Sequence, residues 1–219
     1  MSGLRLVLVR HGITDWNREG RFQGHLDPPL SDVGHREAVL AGERLAGDPE
    51  LRPTRIISSS LERASQTADA IGAATGLAVE LDPRLIEIGQ GEWEGRTHDE
   101  IAATDAERYE VWRTSDGLPP GGETIEHTMK RLRAVFEAVA TDDGTLVVVS
   151  HGGTIRVAAR LLLGLTAERS WALDVDNASI SVVDRHDASW RLVRWNDTRH
   201  LLGLAPIHVD ESEGRPLAL

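Results

Sequence analysis

Apolar residues in this chain fall into short branched runs and helical stripes that alternate along its length. Residues 4–9 (LRLVLV) form an apolar run suited to a buried strand. A polar, glycine-containing stretch over 13–30 has no helical periodicity. Ser31 then reads as an N-cap, and Val33, Ala38, Val39, Ala41 and Leu45 form a stripe that Gly47-Asp48-Pro49 stops. Residues 55–58 (RIIS) predict a second strand, 61–74 a second helix closed by Thr75-Gly76, and 77–81 a third strand. The stretch 82–95 reads as a loop. Short helical pieces around 98–103 and 106–113 precede Pro119-Pro120-Gly121-Gly122, the strongest breaker in the chain. Ile125, Met129, Leu132, Val135, Phe136 and Val139 share one helical face. Residues 145–149 (TLVVV) predict a fourth strand and 154–163 a helix ended by Gly164. Two last strands, 179–183 and 191–194, flank a polar turn.

This order of strands and helices predicts an α/β fold, a three-layer sandwich with a mostly parallel central sheet flanked by helices. No break in composition marks a second domain. Residues 1–205 are therefore expected to form one domain, with a helical insertion at about 95–122 over the site and a polar C-terminal tail at 206–219.

Composition narrows the chemistry. The chain has no Cys, which excludes disulfides, thiolate metal sites and a cysteine nucleophile. Its 24 basic and 35 acidic side chains give a net charge of −11, which disfavours binding to nucleic acid or to anionic membranes. No apolar run approaches the roughly 20 residues of a membrane span. The chain enters its first strand at Leu4, leaving no room for a signal peptide, so a cytoplasmic protein is expected. Lys130 is the one lysine, so anions must be handled by Arg forks or His.

In an open α/β sheet, ligands bind beyond the carboxyl ends of the strands. The first strand delivers Arg10 and His11 there, the second Ser58-Ser59-Ser60 and Arg63, the third Arg84 and Glu87, and the fourth Ser150-His151-Gly152-Gly153. One end of an acidic protein is thus locally cationic, as a site for a small doubly charged phosphate ester requires. Taken singly, each residue has a plainer use: a hydrogen-bonded structural His, an Arg paired at the surface, a solvated Glu, a tight glycine turn. The paired signatures Arg10-His11-Gly12 and Ser150-His151-Gly152, each ending a buried strand, weigh against those readings. No HExxH pair occurs, and His25 and His35 stand on different elements, so neither metal nor other cofactor is expected.

The segment Leu8-Val9-Arg10-His11-Gly12-Ile13-Thr14-Asp15-Trp16-Asn17 resembles the opening motif of the histidine phosphatase superfamily, in its phosphoglycerate mutase-like branch. The resemblance continues in family order through residues 21–31, 58–68, 87–95, 121–124 and 149–153. It implies that His11 is the nucleophile that forms a phosphohistidine, with Arg10, Arg63 and His151 gripping the transferring phosphoryl oxygens. Glu87 is implied as general acid, and Asn17, Gln23, Gly24 and Gly152 as phosphate and substrate contacts. Because these residues are all present, a binding or regulatory member lacking activity is disfavoured. The implied activity is hydrolysis of a small phosphomonoester, a sugar phosphate or a phosphoglycerate-like ester, without a metal; a homodimer is left open. The alternative is a cofactor-dependent phosphoglycerate mutase. Such mutases carry a Tyr three residues beyond the acid Glu, a Lys further along the loop and adjacent arginines in the insertion. Here those positions offer Gln90, Arg96 and a single Arg113. Specificity is expected from the insertion and from Trp16, Phe22, Trp93, Trp112 and Arg113 at the mouth, with Arg113 facing either a substrate carboxylate or Asp116. Trp112 has the helical spacing of a residue that packs the insertion.

Overall fold

The computed structural model describes residues 3–187 and 189–204; the expected tail at 206–219 lies outside them. The central sheet contains β1 (Leu4–Arg10), β2 (Arg55–Ser58), β3 (Val79–Leu81), β4 (Gly144–Ser150), β5 (Ile180–His186) and β6 (Ser189–Asp197), in the order β3-β2-β4-β1-β5-β6. The pairs β1–β4, β2–β4 and β2–β3 are parallel, while β5 and β6 add an antiparallel edge. Around it lie α1 (Asp15–Arg18), α2 (Asp32–Gly47), α3 (Glu62–Thr75), α4 (His98–Thr104), α5 (Ala106–Thr114), α6 (Ile125–Ala138), α7 (Gly152–Leu163) and α8 (Ala167–Trp171). None of these helices is long and apolar enough to cross a membrane.

Alternation along the strands builds the three layers, because successive side chains point to opposite faces. Leu4, Leu6, Leu8, Leu146 and Val148 pack on one face with Leu132, Val135 and Phe136 of α6 and Ile155 and Ala158 of α7. Val7, Val9, Val147 and Val149 pack on the other with Leu45 of α2 and Ala64, Ala68 and Ile71 of α3. A separate aromatic cluster of Phe22, Trp93, Ile101 and Tyr109, with Trp112 against it, gives the insertion its own small core.

Several elements differ from the sequence pattern. In α2 the exposed residue is Val39 and the buried one is Glu37, which spends its carboxylate on the Ile13 backbone N–H at 2.7 Å. The polar stretch 13–30 contains the one-turn α1, formed because Thr14 and Asn17 cap each other reciprocally. The short α8, absent from the pattern, starts at a Thr166 N-cap. β3 begins only at Val79, since Gly76 sits in the left-handed conformation (φ +74°) that ends α3. Helix α7 starts at Gly152, two residues before the expected Thr154. Glycine disfavours a helix start by propensity, but here a carboxylate from another loop accepts the first N–H groups.

The loop after β1 rests directly on α2. A side-chain carbon at Gly34 would overlap the Ile13 carbonyl oxygen, and one at Gly12 would lie 2.5 Å from the Gly34 carbonyl. Backbone therefore packs on backbone, and His11 is set against the first turn of α2. Gly34→Ala, which helix propensity alone favours by about 1 kcal/mol, is instead expected to lower Tm by several degrees in calorimetry and to reduce activity. An unchanged or higher Tm would show that this contact relaxes freely.

Candidate active site

A cleft of about 450 Å³ opens at the carboxyl ends of the parallel strands. It is lined by Arg10, His11, Asn17, Gln23, Gly24, Arg63, Glu87 and Gly152, which are the site residues read from the sequence with one exception. His151 is 0% exposed and stands behind the wall, its ring centroid 5.1 Å from that of His11. Arg84 is absent from the lining: it turns to Asp82 at 2.6 Å and to the Ala134 carbonyl on α6.

His11 follows β1 and is fixed through its backbone: its N–H donates to the Ser150 carbonyl at 2.9 Å, and its carbonyl accepts from Ala178 N–H and the Asn177 amide. Its Nδ1 lies 2.7 Å from the Gly12 carbonyl oxygen, which can only accept, so Nδ1 carries the proton and Nε2 keeps its lone pair. Burial first, then the charges of Arg63 and Arg10, hold the His11 pKa well below 6.5, against the pull of the Gly12 carbonyl. The result is a neutral imidazole with a nucleophilic nitrogen. His151 is kept neutral in the same way, by burial and then by Arg63, His11, Arg10 and Arg131. Its Nε2 meets the Ser59 hydroxyl at 2.8 Å.

The two arginines are buried with backbone carbonyls as their close partners. Arg63, at 1% exposure, donates to the Gly24 and Leu26 carbonyls at 2.9 Å, with Asp27 at 3.5 Å. Burial lowers its pKa to about 10, so it stays charged at neutral pH. Arg10 donates to the Val175 carbonyl at 2.6 Å and lies beside Gly152, where a side-chain carbon would sit 3.4 Å from the guanidinium. Among the described residues, Arg63 Nε, Gln23 Oε1 and His151 Nδ1 are buried without a hydrogen-bond partner. Such orphaned polar atoms are costly, and their concentration around His11 marks a place built for a polar ligand.

Glu87 is anchored at the start of α7. Its carboxylate accepts the N–H groups of Gly153 (3.1 Å), Thr154 (2.9 Å) and Ile88. The backbone around it is pinned from four sides: Ser150 to the Leu85 carbonyl, Thr154 to that of Ile86, and Arg131 and His25 to that of Glu87. Glu123, from the Gly121-Gly122-Glu123-Thr124 block, accepts from Arg131 at 2.8 Å and from Gly89 N–H. Asn17 Oδ1 accepts from the Thr14 N–H and hydroxyl and from the Asn177 amide, which fixes the plane of its own amide at the cleft wall. No three His, Asp or Glu side chains among the described residues gather as a metal ligand set.

The outer cleft was only partly legible. Phe22 and Trp112 line it, as expected, and Trp112 also packs the insertion against Phe22, Trp93 and Tyr109. Trp93 is instead a core residue, 1% exposed, and Trp16 lies under Gly95 outside the lining. Arg113 is outside the lining and pairs with Glu110 at 3.2 Å, while Asp116 binds Arg160 and the Trp171 indole, both at 2.7 Å. Arg156, Trp171 and Asp174 line the cleft without having been singled out. For Arg156 the signal existed: it lies three residues beyond Gly153, on the same helical face.

A profile of the histidine phosphatase superfamily (branch 1) matches residues 6–198, so the chain belongs to that superfamily. Among curated relatives, the glucosyl-3-phosphoglycerate phosphatase of Mycobacterium tuberculosis H37Rv is 38% identical over 216 residues, covering 90% of this chain and 96% of that one. A protein of Erwinia tasmaniensis named "probable phosphoglycerate mutase GpmB" is 35% identical, covering 90% and 95%. A mycobacterial glucosyl-3-phosphoglycerate phosphatase solved with VO3 superposes with a TM-score of 0.80 at 36% identity, covering 89% and 99%. The α-ribazole phosphatase of Shigella flexneri gives 0.76 at 29% identity, over 88% and 96%.

The burial of two neutral imidazoles has a measurable consequence. The unfolded chain takes up protons near pH 6.5 while folded His11 and His151 do not. The unfolded state then binds more protons, so stability falls as pH drops below about 6.5. In an NMR titration both imidazoles should keep neutral shifts as pH is lowered through 6.5. A midpoint at or above that value for either would contradict the electrostatics described.

Proposed function

We propose that this protein is a phosphatase that hydrolyses a small phosphomonoester through a phosphohistidine on His11. The observation that carries the reading is a neutral, buried imidazole with a free Nε2, set between two guanidiniums held largely by backbone carbonyls. That arrangement favours a bound anion, and a phosphoryl group supplies one. Support comes from relatives named as phosphatases and from a solved relative that holds inorganic phosphate. The acidic chain fits a cytoplasmic enzyme of small molecules better than a binder of nucleic acid or membrane.

In the first step His11 Nε2 attacks phosphorus, forming the N–P bond as the ester O–P bond breaks. Glu87, in its acid form, gives its proton to the leaving alkoxide. Arg10, Arg63 and the amide of Asn17 face the charge that spreads over the equatorial oxygens, an effect worth roughly 3–4 kcal/mol per well-placed donor. Neutral His151 stands behind His11, at the back of the pocket. In the second step water attacks the phosphohistidine, its proton passes to Glu87, and phosphate leaves with His11 restored. Arg10 and Arg63 thus supply the charge that a metal brings elsewhere.

The mutase reading is supported by relatives named "probable phosphoglycerate mutase GpmB". Against it stand Gln90, the absence of a loop Lys, and Arg113 committed to Glu110. With 3-phosphoglycerate and catalytic 2,3-bisphosphoglycerate, free phosphate should form faster than 2-phosphoglycerate; the reverse establishes a mutase. His11→Ala should lose at least ~10³-fold in kcat and yield no acid-labile phosphoprotein on quenching. An alanine variant that keeps most activity would remove His11 as nucleophile.

Glu87→Gln should cost far more on alkyl phosphates than on activated aryl phosphates, whose leaving groups need little protonation. Equal losses would make Glu87 a positioning residue.

A further inference from the structure

Resting on the proposed phosphatase reading, we infer that Ser59 is a positioning residue for the reaction. Its hydroxyl locks His151 in the tautomer protonated on Nδ1, and that N–H is the donor the back of the pocket offers to a transferring phosphoryl group. Ser59 directly follows β2, is fully buried, and takes no part in either chemical step. Its N–H donates to the Val149 carbonyl at 2.9 Å, and its carbonyl accepts from the Ser58 hydroxyl at 2.9 Å. Val149 lies opposite Ser58 in the β2–β4 register and two residues before His151. The sheet itself therefore sets Ser59 Oγ against the imidazole, 2.8 Å from Nε2.

Counting protons decides the tautomer. A neutral imidazole carries one ring proton, and a hydroxyl has one hydrogen to donate and two lone pairs. Ser59 Oγ already accepts from Leu61 N–H at 3.2 Å, and His151 Nδ1 is buried without a partner among the described residues. With the proton on Nε2, that N–H would donate to Oγ. The Ser59 O–H would then lack an acceptor among the described residues, and Nδ1 would hold a buried lone pair with no donor. With the proton on Nδ1, the hydroxyl donates to Nε2 and one group is left over, the Nδ1 N–H. Fewer buried polar groups go unpaired, so this tautomer is favoured. The rings of His151 and His11 are 5.1 Å apart, and Gly152, next in the chain, lines the cleft beside Arg10. A phosphoryl group on His11 brings charged oxygens to that corner, where an N–H attracts them and a lone pair would repel them. The two imidazoles thus act oppositely. The Gly12 carbonyl holds a proton on His11 and frees a lone pair, whereas the Ser59 hydroxyl occupies a lone pair of His151 and frees an N–H.

The test is nitrogen NMR of the isotope-labelled parent protein at neutral pH, which tells a protonated ring nitrogen from a bare one; His151→Gln assigns the signal. His151 should carry its proton on Nδ1, and inorganic phosphate should shift that resonance together with those of His11. Ser59→Ala should let the proton redistribute onto Nε2 and lower kcat/KM for an aryl phosphate about tenfold. Ser59→Thr, which keeps the hydroxyl, should retain the Nδ1–H signature and stay within about threefold of the parent. A parent His151 protonated on Nε2 would overturn the inference whether or not any variant folds. So would phosphate that shifts His11 but not His151, or a folded Ser59→Ala variant with unchanged tautomer and rate; each leaves the phosphatase reading intact. A parent inert toward aryl phosphates, with neither imidazole responding to phosphate, would overturn both.

Discussion

The site depends on burying positive charge without cancelling it. Two guanidiniums lie under the surface beside His11, donating to the carbonyls of Gly24, Leu26 and Val175, with the Asp27 carboxylate 3.5 Å from Arg63. A carboxylate closer in would form a stronger pair and compete with a substrate. Carbonyls orient the forks and offset part of the desolvation while preserving net charge. The lowered pKa of Arg63 records the strain of that compromise. Burial first, and then the same charge, keeps His11 unprotonated, so one arrangement both attracts an anion and leaves an imidazole lone pair beside it.

The supporting structure serves that arrangement. The loop carrying His11 is seated on α2 by glycine against backbone and by the buried Glu37. Burial raises the Glu37 pKa, opposed by the Ile13 N–H and by Arg10. The Glu87 loop is tied to two β4–α7 residues, to α6 and to His25, so the acid is placed relative to the strand ends and not relative to solvent. Precision of this kind is what in-line transfer requires, since small displacements of a reacting group are costly.

The strands were legible because branched apolar runs announce buried parallel strands, and β2 was read to the residue. The cleft-lining Arg10, His11, Arg63 and Gly152 were legible because each ends or follows a strand or starts a helix, so local sequence carries their position. What was missed depends on contacts between distant segments. Glu37 was not singled out because periodicity counts apolar positions and cannot see a buried backbone N–H waiting for an acceptor. The start of α7 was misplaced because its cap is Glu87, 65 residues upstream of Gly152. Trp93 and Arg113 were assigned to the mouth because the insertion's small aromatic core and its Glu110 pair leave no local signature.

Asp116 has a consequence for the thermodynamics of ligand capture. One carboxylate joins the loop after α5 to Arg160 on α7 and to the Trp171 indole on α8. The roof of the cleft is therefore clasped to its side wall before any ester arrives. Ordering a loop on binding costs roughly 0.5–1.5 kcal/mol for each immobilised side chain. Here the fold itself has already met that cost, so the contacts a ligand makes with the roof translate into affinity with little loss. The enzyme's outer cleft is in this sense a rigid mould, and its selectivity is set by shape and charge fixed during folding.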